Sequence, residues 1–97
     1  MNVVIAGMPG EVIKRDGQRA RFDVAKIRSA LLRAGQASGE FGEAEADLLT
    51  AQVMKVLMHS FRNAPPDIER IQDVVEQSLI AANHLQTARA YIAYRDS

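Results

Sequence analysis

The chain predicts an α+β fold that is mainly helical, with a small N-terminal β-hairpin or sheet capping a four-helix bundle. Three observations predict it. Asp16-Gly17 lies between two short runs that contain apolar residues, a hairpin-turn pattern. From Val24 onward, apolar residues recur at three and four, the period of an amphipathic helix. Breakers at Gly39, at Arg62-Asn63-Ala64-Pro65-Pro66 and at Asn83-His84 divide that stretch into four helices.

The hairpin comes first. Asp16 and Gly17 read as its two loop residues, because the turn needs positive φ that Asp tolerates and Gly adopts freely. That loop sets Lys14 opposite Arg19. It gathers Val12, Lys14, Arg19 and Arg21 on one face and leaves Ile13, Ala20 and Phe22 on an apolar face toward a core. Like charges facing each other across a hairpin repel unless something negative lies between them. With Arg15 and Lys26, five basic side chains surround this junction, which points to an anion site. The competing reading is a solvated basic surface.

The first helix is expected from Val24 to about Ala37, capped by Asp23 and stopped near Gly39, with Val24, Ile27, Leu31 and Ala34 buried. Lys26 falls in its first turn, where the helix dipole is already positive; a lysine there makes sense if ammonium and free backbone N–H groups share a phosphate. The second helix spans Glu43 to Ser60, with Glu43, Glu45 and Asp47 suiting its dipole. Leu49, Val53, Val56 and Leu57 form its predicted inner stripe, widened by Leu48, Met54, Met58 and Phe61 as core packing rather than ligand surface. After the Pro65-Pro66 break, Asp67 caps a third helix whose inner positions are Ile68, Ile71, Val75, Leu79 and Ala82. The fourth runs from Leu85 to about Arg95, with Leu85, Ala88 and Ile92 inward and Tyr91 and Tyr94 sharing a face.

Composition narrows the function. Ninety-seven residues make one domain, read as residues 11–97 behind a leader or extra edge strand at 1–10. That opening lacks the basic start and apolar length of a signal peptide, and no segment approaches the ~20 apolar residues that span a bilayer. Net charge is zero, which disfavours a nucleic-acid or membrane surface as partner. The charge is uneven, however: residues 1–33 carry seven Lys and Arg against three acids, and residues 34–97 carry five against nine. A small polyanion docking at the N-terminal end fits that asymmetry. The absence of cysteine excludes disulfides and thiolate chemistry within the chain and is compatible with a reducing, cytoplasmic setting. His59 and His84 have no partner at ligand spacing. There is no phosphate-loop or dinucleotide glycine fingerprint, no nucleophile–base pair and no paired carboxylates, so no catalytic or metal residue is assigned.

Three blocks carry a family resemblance. Val12-Ile13-Lys14-Arg15-Asp16-Gly17 with Phe22-Asp23 and Lys26-Ile27 resembles the opening of the ATP-cone domain. Ile71-Gln72-Asp73-Val74-Val75-Glu76 is similar to that family's third helix, and Ala88-Arg89-Ala90-Tyr91-Ile92-Ala93-Tyr94-Arg95 to its closing helix. The resemblance covers residues 11–96 in order, and is strongest to the anaerobic ribonucleoside-triphosphate reductases. It implies a non-catalytic regulatory domain at the N-terminus of a ribonucleotide reductase, with ATP or dATP, together with Mg2+, as allosteric ligand. Its partners would be the rest of the reductase or its other subunits, with a nucleotide-dependent homo-oligomer as a further possibility. Carried over by position, Lys14 and Arg15 would hold phosphates, Lys26 would add a contact, and backbone at Val12 and Ile13 would meet the adenine edge. Asp23 would cap the helix and contact base or ribose; Ile27, Ile68 and Gln72 would wall the pocket, and Tyr94 would close its far side. Ala20 stands where some reductase cones carry a glutamate. The alternatives are a ligand-free protein-interaction module, or the cone of a nucleotide-sensing transcriptional regulator, whose zinc-binding cysteines this chain lacks.

Overall fold

The computed structural model describes residues 9–61 and 63–96. Two strands, β1 (Glu11–Ile13) and β2 (Arg19–Arg21), pair antiparallel and are followed by four helices: α1 (Val24–Ser38), α2 (Glu43–Ser60), α3 (Ile68–Ala81) and α4 (Leu85–Arg95). Class and element order are those expected. Of the predicted leader, residues 1–8 lie outside the described residues. Gly10 already belongs to the hairpin, its carbonyl accepting from the Phe22 N–H at 3.0 Å.

The register differs from the expected one. The Lys14 N–H donates to the Gln18 carbonyl at 2.8 Å and the Gly17 N–H to the Lys14 carbonyl at 2.9 Å, so the loop holds three residues, Arg15, Asp16 and Gly17. Only Gly17 is left-handed, at φ 85°, which closes a turn-plus-bulge hairpin that Asp16 need not enter with positive φ. The Asp16 carboxylate instead accepts from the Gln18 N–H at 2.9 Å. Ile13 pairs with Arg19 and Val12 with Ala20, so Lys14 faces Gln18 and not Arg19. A slip of one residue exchanges faces. Val12, Lys14, Ala20 and Phe22 therefore share one face, and Ile13 joins Glu11, Arg19 and Arg21 on the other. The expected Lys14–Arg19 repulsion does not arise, and Arg19 pairs with Glu11 at 3.4 Å.

The outer edge of β1 is covered by the turn before α3. The Ile13 N–H donates to the Pro66 carbonyl at 2.9 Å, and Ile13 bridges Asp67 in parallel. This pairing satisfies an edge strand and brings the start of α3 beside the hairpin. Asp67 caps α3 by accepting from the Arg70 N–H at 2.8 Å, and Asp23 caps α1 through the Ala25 N–H at 3.0 Å. Left-handed Gly39 and Asn83 end α1 and separate α3 from α4, as their sequence positions suggest.

One core joins every element: Phe22 from the hairpin, Ile27 and Leu31 from α1, Val53 and Leu57 from α2, Val74 and Leu79 from α3, Ala88 and Tyr91 from α4. Helices α1 and α3 each pack on both α2 and α4. Several predicted inward positions are corrected. Val24 and Ile68 are half-buried, while Leu48 and Val56 face solvent. Helix α2 turns Ala46 and Thr50 inward instead, and the Thr50 hydroxyl donates to the Ala46 carbonyl at 2.7 Å. Ala82 is exposed at the C-cap of α3, and Val74 in the middle of that helix is buried as well as Val75. Leu85 and Ile92 are exposed on α4, which buries Thr87, Ala88 and Tyr91.

A polar contact accounts for the face α4 presents. His84 makes no side-chain cap, and Glu40 from the loop after α1 does so in its place. Its Oε1 accepts from both the Thr87 N–H and the Thr87 hydroxyl at 2.6 Å. The same hydroxyl lies 2.6 Å from Ser38 Oγ. A buried threonine is tolerated when its polar groups are satisfied, and here their satisfaction orients the helix.

Candidate functional site

The hairpin lies over the first turns of α1 and α3 and leaves a cavity of about 470 Å³ there. That size suits a small organic ligand, whose sites run to about 300–1,000 Å³. One wall is apolar. Val12 and Ala20 contribute to it from the hairpin, Ile27 from α1, and Ile68 and Ile71 from α3, with Phe22 tying it to the core. The same lining carries four cations, Lys14, Arg15, Arg21 and Lys26.

Among the described residues, Lys14, Arg15 and Lys26 lack carboxylate partners, whereas Arg19, Arg28 and Arg95 have them. The two acids that line the cavity are committed to backbone amides: Asp16 to the Gln18 N–H and Asp23 to the Ala25 N–H. Helix α1 has no acid in its first turn. Four cations thus outnumber two acids in the lining, beside the first turns of two helices, a setting that favours an anion.

Most residues singled out from sequence meet here. Val12, Lys14, Arg15, Asp23, Lys26, Ile27 and Ile68 all line the cavity. Three others do not. The Ile13 side chain takes the other face of the hairpin, and its N–H is used by Pro66. Gln72 stands behind Arg15, its Oε1 3.4 Å from Arg15 Nη2. Tyr94 lines a separate apolar groove between α1 and α4, with Arg33, Ala34 and Ala90. Arg21, one of the five basic side chains grouped around the expected anion site, also lines the cavity, while sequence reasoning missed Asp16, Ala20, Phe22 and Ile71 as lining residues. The three-residue loop would have placed Ala20 and Phe22 beside Val12, and Ile71 follows Ile68 on one helical face.

Arg15 also reaches the far end of the chain. Its Nη2 donates to the Arg95 carbonyl at 2.8 Å, satisfying a terminal acceptor of α4. The Arg95 guanidinium in turn holds Asp73 at 2.9 Å and Glu76 at 3.5 Å on α3. The site is thus built from the hairpin, α1 and α3 and braced by α4. Among the described residues no cluster of three metal-ligating side chains exists, and no helix is long and apolar enough to cross a membrane.

A family model for the ATP cone domain matches residues 10–97. The chain belongs to the ATP-cone family. Over 88 residues this cone is 40% identical to the anaerobic ribonucleoside-triphosphate reductase of Escherichia coli and 38% identical to that of Salmonella typhimurium, covering 91% of this chain and 12% of each relative. The ribonucleoside-diphosphate reductase subunit alpha of Chlamydia muridarum is 35% identical over 95 residues, covering 89% of this chain and 9% of that protein. The cone spans about a tenth of the length of these relatives and is homologous to reductase N-terminal regions.

Proposed function

We propose that this ATP-cone is a non-catalytic allosteric module that binds ATP or dATP and thereby controls a cytoplasmic ribonucleotide reductase, as the N-terminal part of a ribonucleoside-triphosphate reductase. One observation carries the reading: Lys14, Arg15 and Lys26, none ion-paired with a described residue, line one cavity together with apolar Val12, Ile27, Ile68 and Ile71. The triphosphate lies against the three cations, and the purine packs between Val12, Ile27 and Ile68. With Asp16 and Asp23 engaged by amides, Mg2+ rides on the phosphates rather than on protein carboxylates.

The two nucleotides differ by one hydroxyl, so they act differently only through the ribose pose and the side chains it repacks. A coupling of ~1–3 kcal/mol suffices to change a partner's activity several-fold or more. The two-stranded hairpin is marginal on its own. Neutralising its cations fixes how it sits on α1 and α3, and hence the surface offered to the rest of the reductase, to its other subunits or to a second copy.

Calorimetry and thermal melts test this. ATP with Mg2+ at low salt gives heat of binding and raises the Tm of the wild-type chain, and Lys14→Ala and Arg15→Ala lose most of that rise. No heat and no shift with either nucleotide overturns the reading. Size-exclusion chromatography with ATP and then dATP reads the oligomeric consequence. The rival, a ligand-free docking module, draws support from the exposed Leu48, Ile80 and Leu85, and it predicts melts indifferent to nucleotide and to both substitutions.

A further inference from the structure

Arg15 is placed to act at both ends of its guanidinium. Nη2 is bound to the Arg95 carbonyl at 2.8 Å and only loosely to Gln72 Oε1 at 3.4 Å, across 80 and 57 residues of sequence. Nε and Nη1 have no hydrogen-bond partner among the described residues, and the side chain lines the cavity. A planar fork with five donors can grip a phosphate and a carbonyl together, which a single ammonium does less well. The weak Gln72 contact is the one a phosphate oxygen displaces; the short bond to Arg95 persists. Both acceptors are electron-rich, since the C-terminal end of α4 is the negative pole of its dipole. The cation sits between two negative groups that do not touch each other.

We propose that Arg15 is a positioning residue that transmits nucleotide occupancy to the last turn of α4. This rests on the nucleotide reading above and adds the route by which binding is felt outside the cavity. Phosphate held by the Arg15 donors that Arg95 does not use fixes the side chain, and the fixed side chain fixes the Arg95 carbonyl. The Arg95 side chain is already anchored on Asp73 and Glu76, so carbonyl and guanidinium are then held at once. The peptide between Arg95 and Asp96 is held more tightly as the cavity fills. Without ligand the Arg95 carbonyl accepts one surface hydrogen bond from Arg15, and the Asp96 N–H of the same peptide donates to the Ile92 carbonyl at 3.2 Å. Helix ends of that kind open locally, without global unfolding. Their exchange therefore reports the Arg15 contact and not the general gain in stability that any ligand brings.

The test is amide hydrogen exchange on the full chain with and without saturating MgATP, alongside thermal melts. Expected for wild type is a rise in Tm together with exchange slowed by about tenfold at the Arg95 and Asp96 amides, the size of one added charge-assisted hydrogen bond. Arg15→Lys keeps a cation in the cavity but not the fork. At ATP concentrations adjusted to give it the same rise in Tm, its last-turn exchange stays at the ligand-free rate. A wild-type chain stabilised by ATP with unchanged exchange at those two amides overturns the inference while leaving the nucleotide reading intact, as does equal protection in Arg15→Lys. A wild-type chain whose Tm ignores ATP removes the reading and the inference together.

Discussion

At the scale of single residues, Gly35 shows how little slack the core has. A Cβ at this α1 position would lie 2.3–2.6 Å from three ring atoms of Phe41, and Phe41 in turn packs on the core and sits 4.7 Å, centroid to centroid, from the His84 ring. Replacing a helical glycine with alanine ordinarily stabilises by about 0.5–1 kcal/mol. Here the ring must move first, and forced repacking costs about 1–3 kcal/mol. Gly35→Ala is therefore expected to lower stability by about 1 kcal/mol net in urea denaturation, and to shift the His84 ring signals in NMR spectra. In a Phe41→Ala background the same substitution costs less, because the two effects share one contact. Gly17 is constrained by backbone instead: nothing lies near a Cβ there, but φ is 85°. Gly17→Ala is expected to cost about 1–2 kcal/mol and to weaken nucleotide binding, since Lys14 and Arg15 flank that turn.

At the scale of elements, the caps decide orientation, and one of them titrates. The Thr87 hydroxyl, then the Thr87 N–H, holds the Glu40 carboxyl below its ordinary value of 4.5. A carboxyl with a depressed folded-state pKa contributes stability that is fully present above its unfolded value and is lost as pH falls through the folded one. Acid should therefore loosen α4 at its start. Thermal melts taken from neutral pH to below 4.5 test this, and Glu40→Gln flattens that limb of the profile. The alkaline side is set by Tyr91, whose phenol burial pushes up to about 12. A raised pKa contributes below the unfolded value of 10.0 and is lost on approach to 12, so one tyrosine should ionise late in absorbance titration, together with loss of helix signal. Glu40 also marks what was hard to read in the chain. The helices were legible because Asp23, Asp67, Gly39 and Asn83 are local signals lying beside the segments they bound. The inner face of α4 was not, because it is selected by a carboxylate 47 residues away that makes a threonine the buried position. The hairpin was half legible. Its turn residues were in plain view, but loop length, and with it every facing, depended on hydrogen bonds from Lys14 and Gly17 that composition does not display.

At the scale of the whole molecule, the candidate site and the core are one cooperative body joined through Phe22. This residue is 8% exposed, belongs to the core cluster and lines the cavity, whereas Leu57 on α2 is wholly buried and lines none of the cavity. The two should separate stability from ligand response. Leu57→Ala removes core volume and is expected to cost about 2–5 kcal/mol. In a domain of this length each kcal/mol lowers Tm by about 4–8 °C. The free energy contributed by a fixed excess of MgATP should nonetheless stay the same, because ligand linkage depends on site affinity and distant effects add. Phe22→Ala costs about 3–5 kcal/mol through the same loss of packing. It also lets Val12 and Ala20 sag toward α1, so the apolar wall no longer meets the purine and the ATP increment shrinks as well. Urea titrations of both variants, with and without nucleotide, distinguish the cases. A preserved increment in Phe22→Ala would mean that the hairpin holds its place through the Pro66 and Arg95 hydrogen bonds alone, and that the core does not shape the site.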